Sequence, residues 1–191
     1  AASSVPVVNM LSDHSHPLQA LADALTMQQC LGELAGKTVA YIGDYNNVAR
    51  SLAEAAAMLD MHVRLGCPPG FEPDAAELER LDMLGGSSVE LSHRPADAVR
   101  GAQVVAVTVP FAGQADIYRT LKPHLETGQI VLDATSPLAT AVGGRAWQVV
   151  RPWHGSAAEQ AAAILPEGVR VVAGFHTIAA DALQHLEEPI E

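Results

Sequence analysis

Short apolar runs alternate along this chain with segments of helical spacing, and this alternation constrains the fold more than any other feature. The apolar runs cover residues 37–43, 62–66, 88–92, 104–109, 129–133 and 169–173. The helical segments cover residues 17–36, 47–59, 74–84, 96–100, 114–125, 156–165 and 179–186. Consecutive parallel strands need a crossover connection, which a helix supplies. The pattern therefore predicts a doubly wound, Rossmann-like α/β fold. Its mostly parallel six-stranded sheet has the order 3-2-1-4-5-6, within three α/β/α layers.

The length and composition favour one domain. The chain has 191 residues, of which 49% are hydrophobic, and we predict a single domain over residues 1–191. A core of this size needs neither disulfides nor metals. Cys30 and Cys67 are therefore interpreted as free cytosolic thiols. No metal site is predicted, because the H-x-H of His14 and His16 has no third ligand nearby.

The charge balance limits the partners. Eleven Lys and Arg residues stand against 22 Asp and Glu residues, so the formal net charge is −11. Such a chain repels phosphodiester backbones, and we expect no binding to nucleic acid. No apolar stretch approaches the ~18–20 residues of a membrane span, and no leader is visible, so we expect a cytoplasmic protein without membrane contact. The start without Met is interpreted as a boundary within a longer protein.

Two polar motifs stand at the ends of predicted elements in the first half. D-H-S-H-P-L-Q covers residues 13–19, and G-D-Y-N-N covers residues 43–47. A three-residue step is expected to place His16 and Gln19 on one helix face. Asn47 and its neighbours precede a helix, so capping of free backbone N–H groups is the open structural alternative for that motif.

These motifs and their surroundings resemble the ornithine-binding domain of ornithine carbamoyltransferases over about residues 5–103. The resemblance implies that His16 and Gln19 help bind the carbamoyl group of carbamoyl phosphate and that Asn47 contacts the amino-acid substrate. The family's S-x-R-T, D-x-x-x-S-M-G and H-C-L-P segments do not occur in this sequence. We therefore interpret the three residues as vestigial substrate ligands. Carbamoyl transfer would need a carbamoyl-phosphate domain supplied in trans.

The second half carries a different set of motifs, namely V-T-V-P-F, D-A-T-S-P-L, G-S-A-A-E and G-F-H-T-I-A-A. They resemble the deazaflavin-dependent NADP oxidoreductases over about residues 104–189. The resemblance implies a vestigial cofactor site made of Ser136, Pro137, His176, Thr177 and Ile178. Simple turn, capping and hydrogen-bonding roles remain the alternatives at these positions. The family's G-x-G-x-x-G turn is missing, and Asp44 would face a pyrophosphate with like charge.

Together, the two resemblances predict a chimera built from residues 1–103 and 104–191. The leading hypothesis is a scaffold with no complete active site, no native turnover and no required cofactor. The alternatives are a module that binds a deazaflavin or NADP weakly and a fragment of an ornithine carbamoyltransferase. We also expect the interface between the halves to pair Val39 and Tyr41 with Val105 and Val107, at a packing cost of roughly 1–3 kcal/mol per site.

The helix predicted at the amino terminus has an apolar stripe of Leu18, Leu21 and Leu25. An exposed stripe of this kind drives association, so we expect self-association or domain swapping through this helix.

Overall fold

The computed structural model describes residues 5, 7–85, 88–145 and 147–174. The helices are α1 (Pro17–Leu31), α2 (Asn47–Met58), α3 (Ala75–Asp82), α4 (Pro95–Ala98), α5 (Gln114–Leu121) and α6 (Ala157–Ile164). The strands are β1 (Thr38–Ile42), β2 (His62–Gly66), β3 (Val89–Ser92), β4 (Val104–Val107), β5 (Ile130–Asp133) and β6 (Arg170–Ala173). Short 3₁₀ turns cover Phe111–Gly113, Lys122–His124 and Ala139–Val142. Within these ranges, no helix has the length and apolarity to cross a bilayer.

The six strands form one parallel sheet in the order β3-β2-β1-β4-β5-β6. Helices α1, α2 and α3 cover one face, and α4, α5 and α6 cover the other. The predicted fold class and strand order are therefore confirmed. The predicted last helix at residues 179–186 lies outside the described residues, as do His176, Thr177 and Ile178.

The first helix is shorter than predicted. It ends at Leu31 rather than near Gly36, and Gly32 follows it with a φ of 75°. A positive φ breaks the helical path at little cost only where no Cβ is present, so Gly32 ends the helix although apolar residues continue beyond it.

The register between the two half-sheets differs from the expected pairing. Val39 lies opposite Val104, and Tyr41 lies opposite Ala106. Tyr41 belongs to the apolar cluster on one face of the sheet, whereas Val105 belongs to the cluster on the other. The predicted pairing of Val39 and Tyr41 with Val105 and Val107 was wrong, because a one-residue offset moves a side chain to the opposite face.

The centre of the sheet is the point where the chain reverses its strand order. β1 and β4 are neighbours there, and their carboxyl ends open toward the same edge. Gly43, directly after β1, has a φ of 151°, and a Cβ at this position would collide with the Thr108 hydroxyl. The two turns therefore lie in direct contact, at the place where open α/β sheets bind their ligands.

Candidate functional site

The turn after β1 is held by a cap. The Asn46 side-chain oxygen accepts hydrogen bonds from the backbone N–H groups of Val48 at 3.0 Å and Ala49 at 3.1 Å. The capping alternative is therefore confirmed for Asn46, which precedes the first helical residue, Asn47. The Asn47 side-chain oxygen also accepts from the Val48 N–H at 3.0 Å, so Asn47 takes part in the same cap.

Hydrogen bonds bring His16 and Asn47 to the same place. The Asn47 amide donates to the backbone oxygen of Ser12 at 2.7 Å. Four residues after Ser12, the backbone N–H of His16 donates to the hydroxyl of Ser51 at 2.9 Å. Ser51 is buried on α2, one turn beyond Asn47. The segment that begins α1 is thus fastened to the amino-terminal end of α2.

Gln19 lies one turn into α1, where its amide is oriented by a carboxylate. The Gln19 Nε2 group donates to Oδ1 of Asp23 at 2.8 Å. Burial raises the pKa of Asp23, while the Gln19 hydrogen bond and the nearby His16 act in the opposite direction. This arrangement holds one end of the amide and leaves the Gln19 oxygen as an acceptor. The His16 Nδ1 atom is buried and has no hydrogen-bond partner in the part of the chain that the structure describes.

A cluster of charged side chains, centred on Glu77, contacts the turn after β1. Glu77 on α3 accepts a hydrogen bond from the Tyr45 hydroxyl at 2.7 Å and pairs with Arg50 at 3.0 Å and Arg80 at 2.8 Å. Chiefly because Arg80 donates to it, the pKa of Glu77 is lowered to about 2. Arg50 also contacts a ring nitrogen of His14 at 2.7 Å. The cluster therefore connects the turn after β1, helices α2 and α3, and the segment before α1.

Ser136 and Pro137 lie after β5, two strands away from β1. Ser136 borders an open hollow of about 440 Å³ between the turns that follow β4 and β5. The residues that line this hollow are all uncharged, namely Val109, Pro110, Phe111, Ala112, Ala134, Ser136, Leu138 and Thr140. The Pro137 carbonyl accepts a hydrogen bond from Val150 at 2.7 Å, so the loop around it is held in place. Ser136 and Pro137 therefore lie apart from His16, Gln19 and Asn47.

The buried cysteine at the edge of the sheet has no nucleophilic character. Cys67 follows β2 and is 1% exposed. Burial raises its pKa to about 11, and the charges of Asp44 and Glu72 act in the same direction. Because only the thiolate is a good nucleophile, Cys67 is inert near neutral pH. Across the described residues, no group of three or more His, Cys, Asp or Glu side chains is arranged to hold a metal ion.

Several residues of the site were not predicted from the sequence. Asp23 stands four residues after Gln19, a helical spacing that could have revealed the pair. Ser51 and Glu77 gave no such signal, because each joins the site through contacts across more than 30 residues of chain.

Family models match two parts of the chain. The model described as the Asp/Orn binding domain of aspartate/ornithine carbamoyltransferases matches residues 35–130. The model described as the carbamoyl-P binding domain of the same enzymes matches residues 1–29. The first match continues well past the predicted boundary between residues 103 and 104.

Curated relatives agree with these matches. Ornithine carbamoyltransferase of Parasynechococcus marenigrum is 52% identical over 117 residues, which are 60% of this chain and 37% of that protein. The enzyme of Carboxydothermus hydrogenoformans is 37% identical over 140 residues, which are 69% of this chain and 45% of that protein. The chain thus spans less than half the length of either relative.

Solved structures show the same similarity. Ornithine carbamoyltransferase from Gloeobacter violaceus has a TM-score of 0.58 at 33% identity, over 68% of this chain and 48% of that chain. The enzyme from Thermus thermophilus has a TM-score of 0.56 at 32% identity, over 85% of this chain and 56% of that chain. None of these reported proteins is an oxidoreductase, so the chimera and its deazaflavin-related half gain no support and stay predictions.

Proposed function

This chain belongs to the aspartate/ornithine carbamoyltransferase family by its Asp/Orn binding domain, and from that premise we propose that it is the amino-acid-binding part of a carbamoyltransferase. In this proposal a carbamoyl-phosphate-binding domain completes the active site, and the chain alone shows no turnover. The expected reaction forms a bond between an amino-acid amine and the carbamoyl carbon. The carbon–oxygen bond to phosphate breaks, and the amine proton is released.

The observation that carries the proposal is the fastening of α1 to α2. The backbone of His16, the N-cap of α1, is bonded to the helix that begins with Asn47, and Gln19 follows three residues later on α1. Within the described residues, the buried Nδ1 atom of His16 has no hydrogen-bond partner, and Gln19 contributes an amide that is oriented through its nitrogen. An N–H from His16 can polarise the carbamoyl carbonyl, while the Gln19 oxygen accepts from the carbamoyl NH₂ group.

Asn47 is the residue that we propose to contact the amino acid. In this structure its amide nitrogen donates to Ser12 and its oxygen accepts from the Val48 N–H, so a substrate would compete with or share these hydrogen bonds. Asp23 acts as a positioning residue, because it orients Gln19 without reaching the substrate itself.

The exposed face of α1 supports the need for a further domain. Ala20, Ala24 and Met27 face the protein interior, whereas Leu18, Leu21 and Leu25 are 39%, 63% and 55% exposed. The match of residues 1–29 to the carbamoyl-P binding model makes that domain the proposed cover of this stripe. When the domain is absent, the same stripe would drive self-association, which light scattering over a range of concentrations would detect.

The proposal is tested by supplying the missing domain. The chain is mixed with the carbamoyl-phosphate-binding domain of an ornithine carbamoyltransferase, and formation of the carbamoylated amino acid is measured with ornithine and with aspartate. We expect product only in the mixture. Carbamoyl phosphate should also raise the melting temperature of the mixture, because a ligand that binds only the folded state stabilises it.

Two substitutions in α1 distinguish an effect on the proposed site from a general effect on the helix. Gln19→Leu removes the proposed carbamoyl ligand, and Gln28→Leu makes the same change at an exposed position of the same helix. We expect Gln19→Leu to abolish product and Gln28→Leu to leave it unchanged. Equal activity of both variants, or product without the added domain, would overturn the proposal.

A second candidate function is weak binding of a deazaflavin or NADP by the carboxyl-terminal half. The uncharged hollow beside Ser136 supports it, because a planar ring loses little hydration on entering such a surface. NADP is the weaker candidate, since Asp44 is exposed at the turn where a pyrophosphate would lie. A fluorescence titration with a deazaflavin tests this function, and an unsaturable signal would refute it.

A further inference from the structure

An open cavity of about 620 Å³ lies in front of α6, away from the proposed amino-acid site. Its walls are formed by Arg151, Pro152, Trp153, His154, Gly155 and Glu159. None of these residues belongs to the group around His16 and Asn47, and Gly155 and Glu159 stand in the G-S-A-A-E motif. We propose that this cavity is a binding site for an oxyanion, either a phosphate or a carboxylate.

The local charge of the chain favours an anion at this cavity. The protein has a formal net charge of −11, yet residues 134–158 contain no Asp or Glu. The same stretch contains Arg145, Arg151 and His154. An anion that approaches this segment therefore meets basic side chains and no carboxylate from the same stretch, although the protein as a whole is acidic.

The Arg151 guanidinium is available to a ligand. Five arginines of the described chain form ion pairs, namely Arg50, Arg64, Arg80, Arg94 and Arg119, whereas Arg100, Arg145 and Arg170 form none there. Arg151 is exposed in the cavity wall and forms no ion pair within the described ranges. A guanidinium presents a planar fork of donors that fits the two oxygens of a carboxylate or phosphate.

An aromatic wall stands beside this cation. Trp153 is 95% exposed, so nearly its whole ring is in contact with water. Burying an aromatic ring against a ligand is favourable in proportion to the apolar area covered. An oxyanion attached to an apolar or aromatic group should therefore bind more tightly than inorganic phosphate.

Glu159 makes it possible to test the sign of the charge that the cavity binds. Its carboxylate lines the cavity near the backbone of Gly155, and its backbone N–H donates to the Ser156 hydroxyl at 3.1 Å. An anion in the cavity is repelled by Glu159 and attracted by Arg151. Removing one charge or the other should consequently change affinity in opposite directions. Gln at position 159 keeps the capping arrangement, because Gln serves there as well as Glu.

Intrinsic fluorescence measures the binding directly. Both tryptophans of the chain lie in this segment, and Trp147→Phe leaves Trp153 as the single reporter. The full chain is titrated with inorganic phosphate, phenyl phosphate and uncharged benzyl alcohol. We expect saturable quenching by phenyl phosphate and weaker binding of inorganic phosphate. If the two bind equally, the oxyanion alone accounts for recognition, and the site still stands.

Three variants decide the outcome. Arg151→Gln should raise the Kd for phenyl phosphate about tenfold or more, and Glu159→Gln should lower it. Arg170→Gln removes the same charge from the exposed strand β6, and we expect less than a twofold change. The proposal is overturned if benzyl alcohol binds as well as phenyl phosphate, if Arg170→Gln matches Arg151→Gln, or if no saturation occurs at millimolar ligand. The measurement is independent of carbamoyl transfer, so either proposal can fail alone.

Discussion

The carboxylate of Glu77 offers the sharpest test of how the β1 turn is held. Glu77 is 9% exposed and accepts hydrogen bonds from Arg80 and from the Tyr45 hydroxyl, while Arg50 pairs with it. Glu77→Gln preserves the shape of the side chain and removes its charge. The variant therefore isolates the electrostatic contribution of one group that joins α3, α2 and the turn.

The size of the effect follows from the pKa of Glu77, which is lowered from 4.5 to about 2, chiefly by the Arg80 hydrogen bond. A difference of this size corresponds to about 3 kcal/mol of stability. Since Arg80 is 40% exposed, solvent screening reduces the expected value toward about 2 kcal/mol. Because the pKa is lower in the folded state, this stability is present above pH 4.5 and is lost as the pH falls toward 2.

Urea unfolding at several pH values measures the prediction. Near neutral pH, the free energy of unfolding of the parent chain should be about 2 kcal/mol larger than that of the Glu77→Gln variant. This difference should shrink as the pH falls below about 4.5. Glu90→Gln is the matched control. Glu90 is 59% exposed and pairs only with Arg64 at 3.1 Å in the described structure, so its loss should cost under about 1 kcal/mol. Equal midpoints for the parent chain and Glu77→Gln, or a difference independent of pH, would refute the reasoning.

Three further substitutions probe the sheet edge. Gly43→Ala should destabilise the fold by more than about 1 kcal/mol, because its φ is positive and its Cβ would collide with Thr108; thermal unfolding measures this. Gln114→Met should cost about 2–4 kcal/mol in urea unfolding, since the fully buried amide bonds Asp133 at 2.8 Å; Gln28→Met, at an exposed position, is its control. Asn46→Ala should lower stability by about 1 kcal/mol through loss of the α2 cap, and a cost near zero would contradict the cap.

Much of the site's local geometry could be predicted from the sequence. The alternation of apolar runs and helical segments predicted a parallel sheet, because a helix must cross over between consecutive parallel strands, and the expected strand order was the one observed. The cap at Asn46 also follows from short-range spacing, whereas His16 lies just before α1 as its N-cap and not on a helix face with Gln19. A cap depends only on the backbone geometry of a few consecutive residues, so the local sequence is enough to predict it.

Tertiary structure alone decided how those pieces meet. Periodicity assigns a strand but does not set its register, so only the folded sheet showed that Tyr41 lies opposite Ala106 rather than beside Val105. The bond between His16 and Ser51 likewise spans 35 residues, and the contact between Tyr45 and Glu77 spans 32. These contacts depend on the packing of α1 and α3 against α2, and no local pattern encodes a distance between helices that far apart in the chain.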